Sequence, residues 1–77
     1  MTMTKKNKIA VIGAGYWGKN LIRNFNDLGH LGAICDQDSQ LLRKYQKQYP
    51  KIHCYQSVSE ILQAPEINSV AIATPAI

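Results

Sequence analysis

Gly13, Gly15 and Gly18 stand at Gly-x-Gly-x-x-Gly spacing, and Asp36 follows them at roughly the 20-residue distance that a dinucleotide fingerprint requires. These residue types could hold a pyrophosphate and its neighbouring sugar. Gly13 allows a sharp turn out of a strand. Gly15 has no Cβ, so a phosphate can approach its backbone. Gly18 lets a following helix lie tightly on the strand. The first N–H groups of that helix, near Tyr16 and Trp17, have no intrahelical acceptor, and the helix dipole favours an anion in front of them. Asp36 can accept hydrogen bonds from ribose hydroxyls. Its charge opposes a 2′-phosphate, and no arginine directly follows it, so NAD is expected over NADP.

Such a site needs a strand, a turn and a helix in succession. Lys8 to Ile12 is a short apolar, partly β-branched run of the kind that forms a buried parallel strand. A helix is predicted from Tyr16 to Leu28, with Gly18, Leu21, Ile22, Phe25 and Leu28 as its buried stripe. Gly29 is placed to end it in the left-handed conformation. A second strand, Leu31 to Cys35, delivers Asp36 at its carboxyl end. Asp38 or Ser39 then caps a helix over Gln40 to Gln48, closed by Pro50. A short outer strand covers Ile52 to Tyr55. Ser57-Val58-Ser59-Glu60 has the spacing of a capping box and opens a short helix through Gln63. A last strand runs from Asn68 to Thr74, stopped by Pro75. Strand and helix alternate as βαβαβαβ. Right-handed crossovers then give an α/β fold with a parallel sheet of order 3-2-1-4, part of a dinucleotide-binding domain.

Ligands of open α/β sheets sit beyond the carboxyl ends of the strands, at the switch point between the first and fourth strands here. Ala73, Thr74 and Pro75 therefore face the glycine turn and are candidates to border the cofactor. Trp17 and Tyr16 could shield it or pack on the sheet rim. His30 and His53 read as surface residues. Tyr45, Tyr49 and Tyr55 are expected to pack around the second helix. The fourth strand has an apolar free edge, Val70 to Ala73, so the chain is expected to be marginally stable or to associate through that edge, and a homo-oligomer is expected.

The chain has 77 residues, 45% of them hydrophobic, and a formal charge of +4. That is one small domain of ordinary globular composition. Met1 to Asn7 reads as a flexible tail. The cations are scattered rather than gathered on one face, which fits solvated helix surfaces and attraction for phosphate-bearing ligands, not nucleic acid. Cys35 and Cys54 fall inside predicted strands without metal-ligand spacing, as in a reducing cytoplasm. No apolar run is long enough for a membrane span. The sequence offers no proton donor or base suited to hydride-transfer chemistry, so no catalytic residue and no metal ligand is assigned. Groups that manage a substrate's proton are expected beyond Ile77 or on another chain.

The run Ile9-Ala-Val-Ile-Gly-Ala-Gly-Tyr-Trp-Gly-Lys-Asn-Leu, then Cys35-Asp36, then Val70-Ala-Ile-Ala-Thr-Pro-Ala, resembles the amino-terminal portion of the Gfo/Idh/MocA oxidoreductases. The Tyr-Trp-Gly-Lys-Asn version is most similar to the branch of nucleotide-sugar 3-dehydrogenases. The resemblance implies an NAD(P)-dependent oxidation of a sugar or nucleotide-sugar hydroxyl, with Gly13, Gly15, Tyr16, Trp17 and Gly18 at the pyrophosphate. It also implies Asp36 on the ribose, and Thr74 and Pro75 bordering the cofactor. That family's Glu-Lys-Pro motif with its catalytic lysine, and its substrate domain, have no counterpart in these residues. The alternative is a stand-alone, non-catalytic nucleotide-binding module. A basic nucleic-acid-binding domain is a further rival, and would show salt-sensitive binding to DNA or RNA.

Overall fold

A computed structural model describes residues 8–73, with Tyr16 described by its backbone alone. The elements follow in the order β1 (Ile9–Ile12), α1 (Tyr16–Asp27), β2 (Leu31–Cys35), α2 (Ser39–Gln48), β3 (His53–Tyr55), α3 (Val58–Gln63) and β4 (Ser69–Ile72). The four strands are parallel and lie in the order β3-β2-β1-β4, the order expected of a dinucleotide-binding sheet. The expected tail, Met1 to Asn7, lies outside the described residues, as do Thr74 to Ile77.

Side chains alternate across the sheet, so each central strand feeds two cores. Val11 and Ile34 join Ile22 of α1 and Leu42 and Tyr45 of α2 on one face. Ala10, Ala33 and Cys35 meet Ile61 of α3 on the other. Small residues on the α3 side let that short helix approach, and branched aliphatic residues fill the wider space under α1 and α2. The register of β1 against β2 slips between Ile9 and Ala10, opposite Gly32. A Cβ on Gly32 would sit 2.8 Å from Ile67 Cδ1.

The ends of α1 and α2 are set by local chemistry. α1 stops one residue before the expected Leu28. The Gly29 N–H donates to Asn26 O and the His30 N–H to Phe25 O, with Gly29 at φ 77°. This pair of bonds is a Schellman closure, which needs a left-handed residue at the position Gly29 fills. Leu28, expected on the buried stripe, is instead 67% exposed, because the closure turns the chain before its side chain reaches the sheet. At α2, Asp38 is the cap: its Oδ1 accepts from Gln40 N–H at 3.0 Å and Leu41 N–H at 3.2 Å.

α3 begins where the capping-box spacing puts it, but the box does not close on the backbone. Ser57 Oγ donates to Glu60 Oε1 at 3.2 Å, and no side-chain bond reaches an amide at this helix start. The two polar side chains satisfy each other instead. Along β4, Val70 and Ile72 are exposed. No helix among the described residues is long and apolar enough to cross a membrane.

Candidate functional site

Four strand ends converge on one rim. The Gly13 N–H donates to Cys35 O at 2.8 Å, the Asp36 N–H to Tyr55 O at 3.1 Å, and the Ala73 N–H to Ile12 O at 2.8 Å. The ladders of the sheet thus carry on for one residue past β1, β2 and β4 and fix the rim to the core. Gly13 then turns the chain with φ 96°, a conformation that costs a residue with a Cβ about 1–2 kcal/mol. α1 starts immediately after, with Gly15 at its N-cap position and no side chain capping it.

The three glycines of the turn have different surroundings. A Cβ on Gly18 would run into the Gly13 carbonyl oxygen, and Ala73 Cβ lies 3.6 Å away on the other side. Glycine there is what lets α1 cross its own turn. A Cβ on Gly15 would meet no atom of the described residues within 4 Å.

Asp36 is where sequence spacing places it, at the end of β2, and it touches the turn directly. Its Oδ2 accepts from the Ala14 N–H at 2.8 Å and its Oδ1 from the Asp38 N–H at 2.9 Å. Each carboxylate oxygen has a second lone pair, so both remain able to accept from a ligand hydroxyl. Beside it opens a cleft of about 370 Å³ lined by Gly13, Cys35, Asp36, Gln37, Gln56 and Val58. Gln56 and Val58 were not anticipated. They follow β3, and the rule that ligands lie past strand carboxyl ends would have found them. The Cys35 thiol is buried, and burial first, then the charges of Asp36 and Glu60, push its pKa above the ordinary value. It enters the cleft as a neutral, weakly polar wall.

Trp17, at the start of α1, is 65% exposed. The side chain of Tyr16, together with Thr74 and Pro75, lies outside the described residues. Ala73 immediately precedes that pair and stands beside Gly18. His30, expected at the surface, is half-buried, and its Nδ1 is buried without a partner among the described residues. His53 is exposed on the outer strand, where its ring lies 6.2 Å from that of Tyr55. Tyr45 and Tyr49 pack with α2 as expected, their rings stacked at 6.2 Å. Tyr55 does not: it packs on the opposite face of the sheet and donates to Glu66 Oε1 at 3.5 Å. Strand alternation sends it there, since its neighbour Cys54 takes the α2 side.

The comparisons agree with this architecture. Residues 7–76 match the model of the Gfo/Idh/MocA oxidoreductase family, NAD-binding Rossmann fold. The chain is 31% identical over 77 residues to a D-apiose dehydrogenase of Paraburkholderia graminis, covering 97% of this chain and 20% of that one. Among solved structures it superposes on the WlbA dehydrogenase of Bordetella pertussis, in complex with NADH and UDP-GlcNAcA, with a TM-score of 0.81 and 23% identity. The match covers 97% of this chain and 23% of that one. The WlbA dehydrogenase of Chromobacterium violaceum, in complex with the same two ligands, gives a TM-score of 0.80 and 19% identity, over 96% and 22%. At these identities the structural likeness speaks for the fold. The chain spans about a fifth of the length of the relatives it matches.

Proposed function

We propose, from the premise that this chain belongs to the Gfo/Idh/MocA oxidoreductase family as its NAD-binding Rossmann domain, that Asp36 and the glycine turn together select NAD. The observation that carries this is the bond from the Ala14 N–H to Asp36 Oδ2. It joins the residue suited to a ribose to the loop suited to a pyrophosphate. The fit is supported by the absence of any described atom where a Gly15 Cβ would be, by the glycine at the N-cap of α1 and by the cleft beside Asp36. In this reading Gly13, Gly15, Gly18 and the amides of Tyr16 and Trp17 surround the pyrophosphate. Asp36 accepts from the ribose, and Thr74 and Pro75 border the cofactor after Ala73.

The bound dinucleotide supplies a hydride acceptor or donor, and the reaction served is oxidation at a hydroxyl of a sugar or nucleotide sugar. The D-apiose dehydrogenase and the UDP-GlcNAcA complexes of WlbA support that substrate class. The residues of the cleft bind and orient; they do not move a substrate proton. Its polar side chains are Asp36, already holding two amides, the neutral Cys35 thiol and two glutamines. The 77-residue chain alone therefore binds NAD and oxidises nothing. Free thiols at Cys35 and Cys54 suit a reducing cytoplasm, and the exposed apolar side chains of β4 suit a homo-oligomer.

Titration of NAD and NADP, followed by amide shifts in NMR, tests the reading on wild type and on Asp36→Ala. NAD is expected to bind at least about tenfold tighter than NADP. The substitution should weaken NAD by about tenfold or more, the scale of a lost hydrogen bond to a charged group. Equal affinity for both dinucleotides, or an unchanged NAD affinity in Asp36→Ala, would overturn it.

A further inference from the structure

Tyr45 reaches the glycine turn from α2. Its side chain is 4% exposed, and its hydroxyl donates to the Ala14 carbonyl oxygen through a long, buried hydrogen bond of 3.3 Å that spans 31 positions of sequence. The phenol is held in place by the stacked ring of Tyr49, 9° from parallel. Burial chiefly, with the charges of Tyr49 and Asp36 behind it, pushes the hydroxyl above its ordinary pKa. The group therefore stays a donor at neutral pH.

Ala14 is thus tethered on both of its peptide bonds. Its N–H goes to Asp36 and its carbonyl to Tyr45. The second tether matters more for a ligand. The Ala14 carbonyl and the Gly15 N–H belong to one planar trans peptide, in which they point in opposite directions. Fixing the carbonyl fixes where the Gly15 N–H points. Packing of Gly15 itself does not hold this peptide, because Gly15 is exposed and a Cβ there would meet no described atom within 4 Å.

We propose that Tyr45 is a positioning residue for pyrophosphate binding: its hydroxyl holds the Ala14–Gly15 peptide so that the Gly15 N–H is aimed before the ligand arrives. This deepens the nucleotide reading above and rests on it. Pre-aiming an amide spares a ligand the cost of turning it. The benefit falls on the diphosphate alone, since the ribose is served by Asp36.

The test compares Tyr45→Phe with wild type, using NAD, ADP-ribose and adenosine as probes in NMR titrations. The variant should weaken NAD and ADP-ribose three- to tenfold, leave adenosine unchanged, and shift the Gly15 amide resonance in the free protein. Tyr49→Phe, which keeps the ring stack, should change none of these. Unchanged NAD affinity in Tyr45→Phe overturns the proposal, as does weakening that is equal for adenosine. Should the variant not fold, the wild type decides. A slowly exchanging Tyr45 hydroxyl proton close to Ala14 supports the proposal, and its absence overturns it. Wild type that binds none of the three probes overturns the nucleotide reading and this proposal with it, whereas a failure confined to the variant overturns this proposal alone.

Discussion

The two ends of the glycine turn are built on opposite terms. At the inner end, Gly13 takes a left-handed φ and its carbonyl oxygen occupies the place where a Gly18 side chain would begin. At the outer end, Gly15 is exposed, and a Cβ there would meet no described atom within 4 Å. One motif therefore contains glycines of two kinds. The inner ones are required for α1 to pack on β1 at all. The outer one has no described protein atom where its Cβ would be, and a phosphate is the proposed occupant of that space.

The inner end should give the largest effect on stability. Gly18→Ala forces a Cβ onto a backbone oxygen, and neither α1 nor the turn can move away without losing Ile22 from the core. Overpacking of this kind costs about 3 kcal/mol or more. A folded chain of this length has roughly 4–12 kcal/mol in total by the usual allowance per residue. The variant is expected to unfold at a markedly lower urea concentration and temperature than wild type. A melting temperature equal to wild type would show that the turn is looser than the contact implies, and the contrast between the two ends would fail.

A smaller effect is expected from alkaline pH, which acts on the buried groups behind the inner end. Burial raises the Cys35 and Cys54 thiols above their ordinary 9.0 and the Tyr45 phenol above 10.0. Their neutral forms are favoured by folding, so the unfolded chain gives up these protons first. Stability is full below about pH 9 and falls as pH rises through the raised values. Urea midpoints taken from pH 8 to pH 10.5 should decline, and Cys35→Ala should flatten the decline. A midpoint that rises over that interval contradicts the burial of these groups.

Much of this arrangement could be read from local chemistry. The run Ile9 to Ile12 and the spacing of the glycines are contiguous, and the left-handed closure at Gly29 depends on neighbours within one turn. The sheet order followed from the glycine-turn pattern of a dinucleotide-binding fold. The errors share a different cause. Periodicity assigned Leu28 a buried face because it does not register that the Schellman closure ends the helix one residue earlier. Spacing implied a capping box at Ser57 and Glu60, but the two side chains can bond each other instead. At the site, the position of Asp36 was legible and its second task was not. The bond to the Ala14 N–H links residues 22 positions apart, and that from Tyr45 links residues 31 apart. Contacts of that range depend on the packing of α2 against the turn, which no window of sequence contains.

The sharpest discrimination comes from the substitution with the least effect on folding. Gly15→Ala places a methyl group where no described protein atom lies within 4 Å. Its melting temperature should stay close to that of wild type, the stability change lying within about 0.5 kcal/mol as for most exposed positions. Yet NAD affinity should fall by tenfold or more, because the methyl occupies the space a phosphate needs to reach the backbone. ADP-ribose should suffer equally and adenosine little. Only a ligand seated against the outer end predicts this separation of stability from binding. If Gly15→Ala binds NAD as wild type does, the space over Gly15 is not where the pyrophosphate rests. If it melts as Gly18→Ala does, the two ends obey one rule after all.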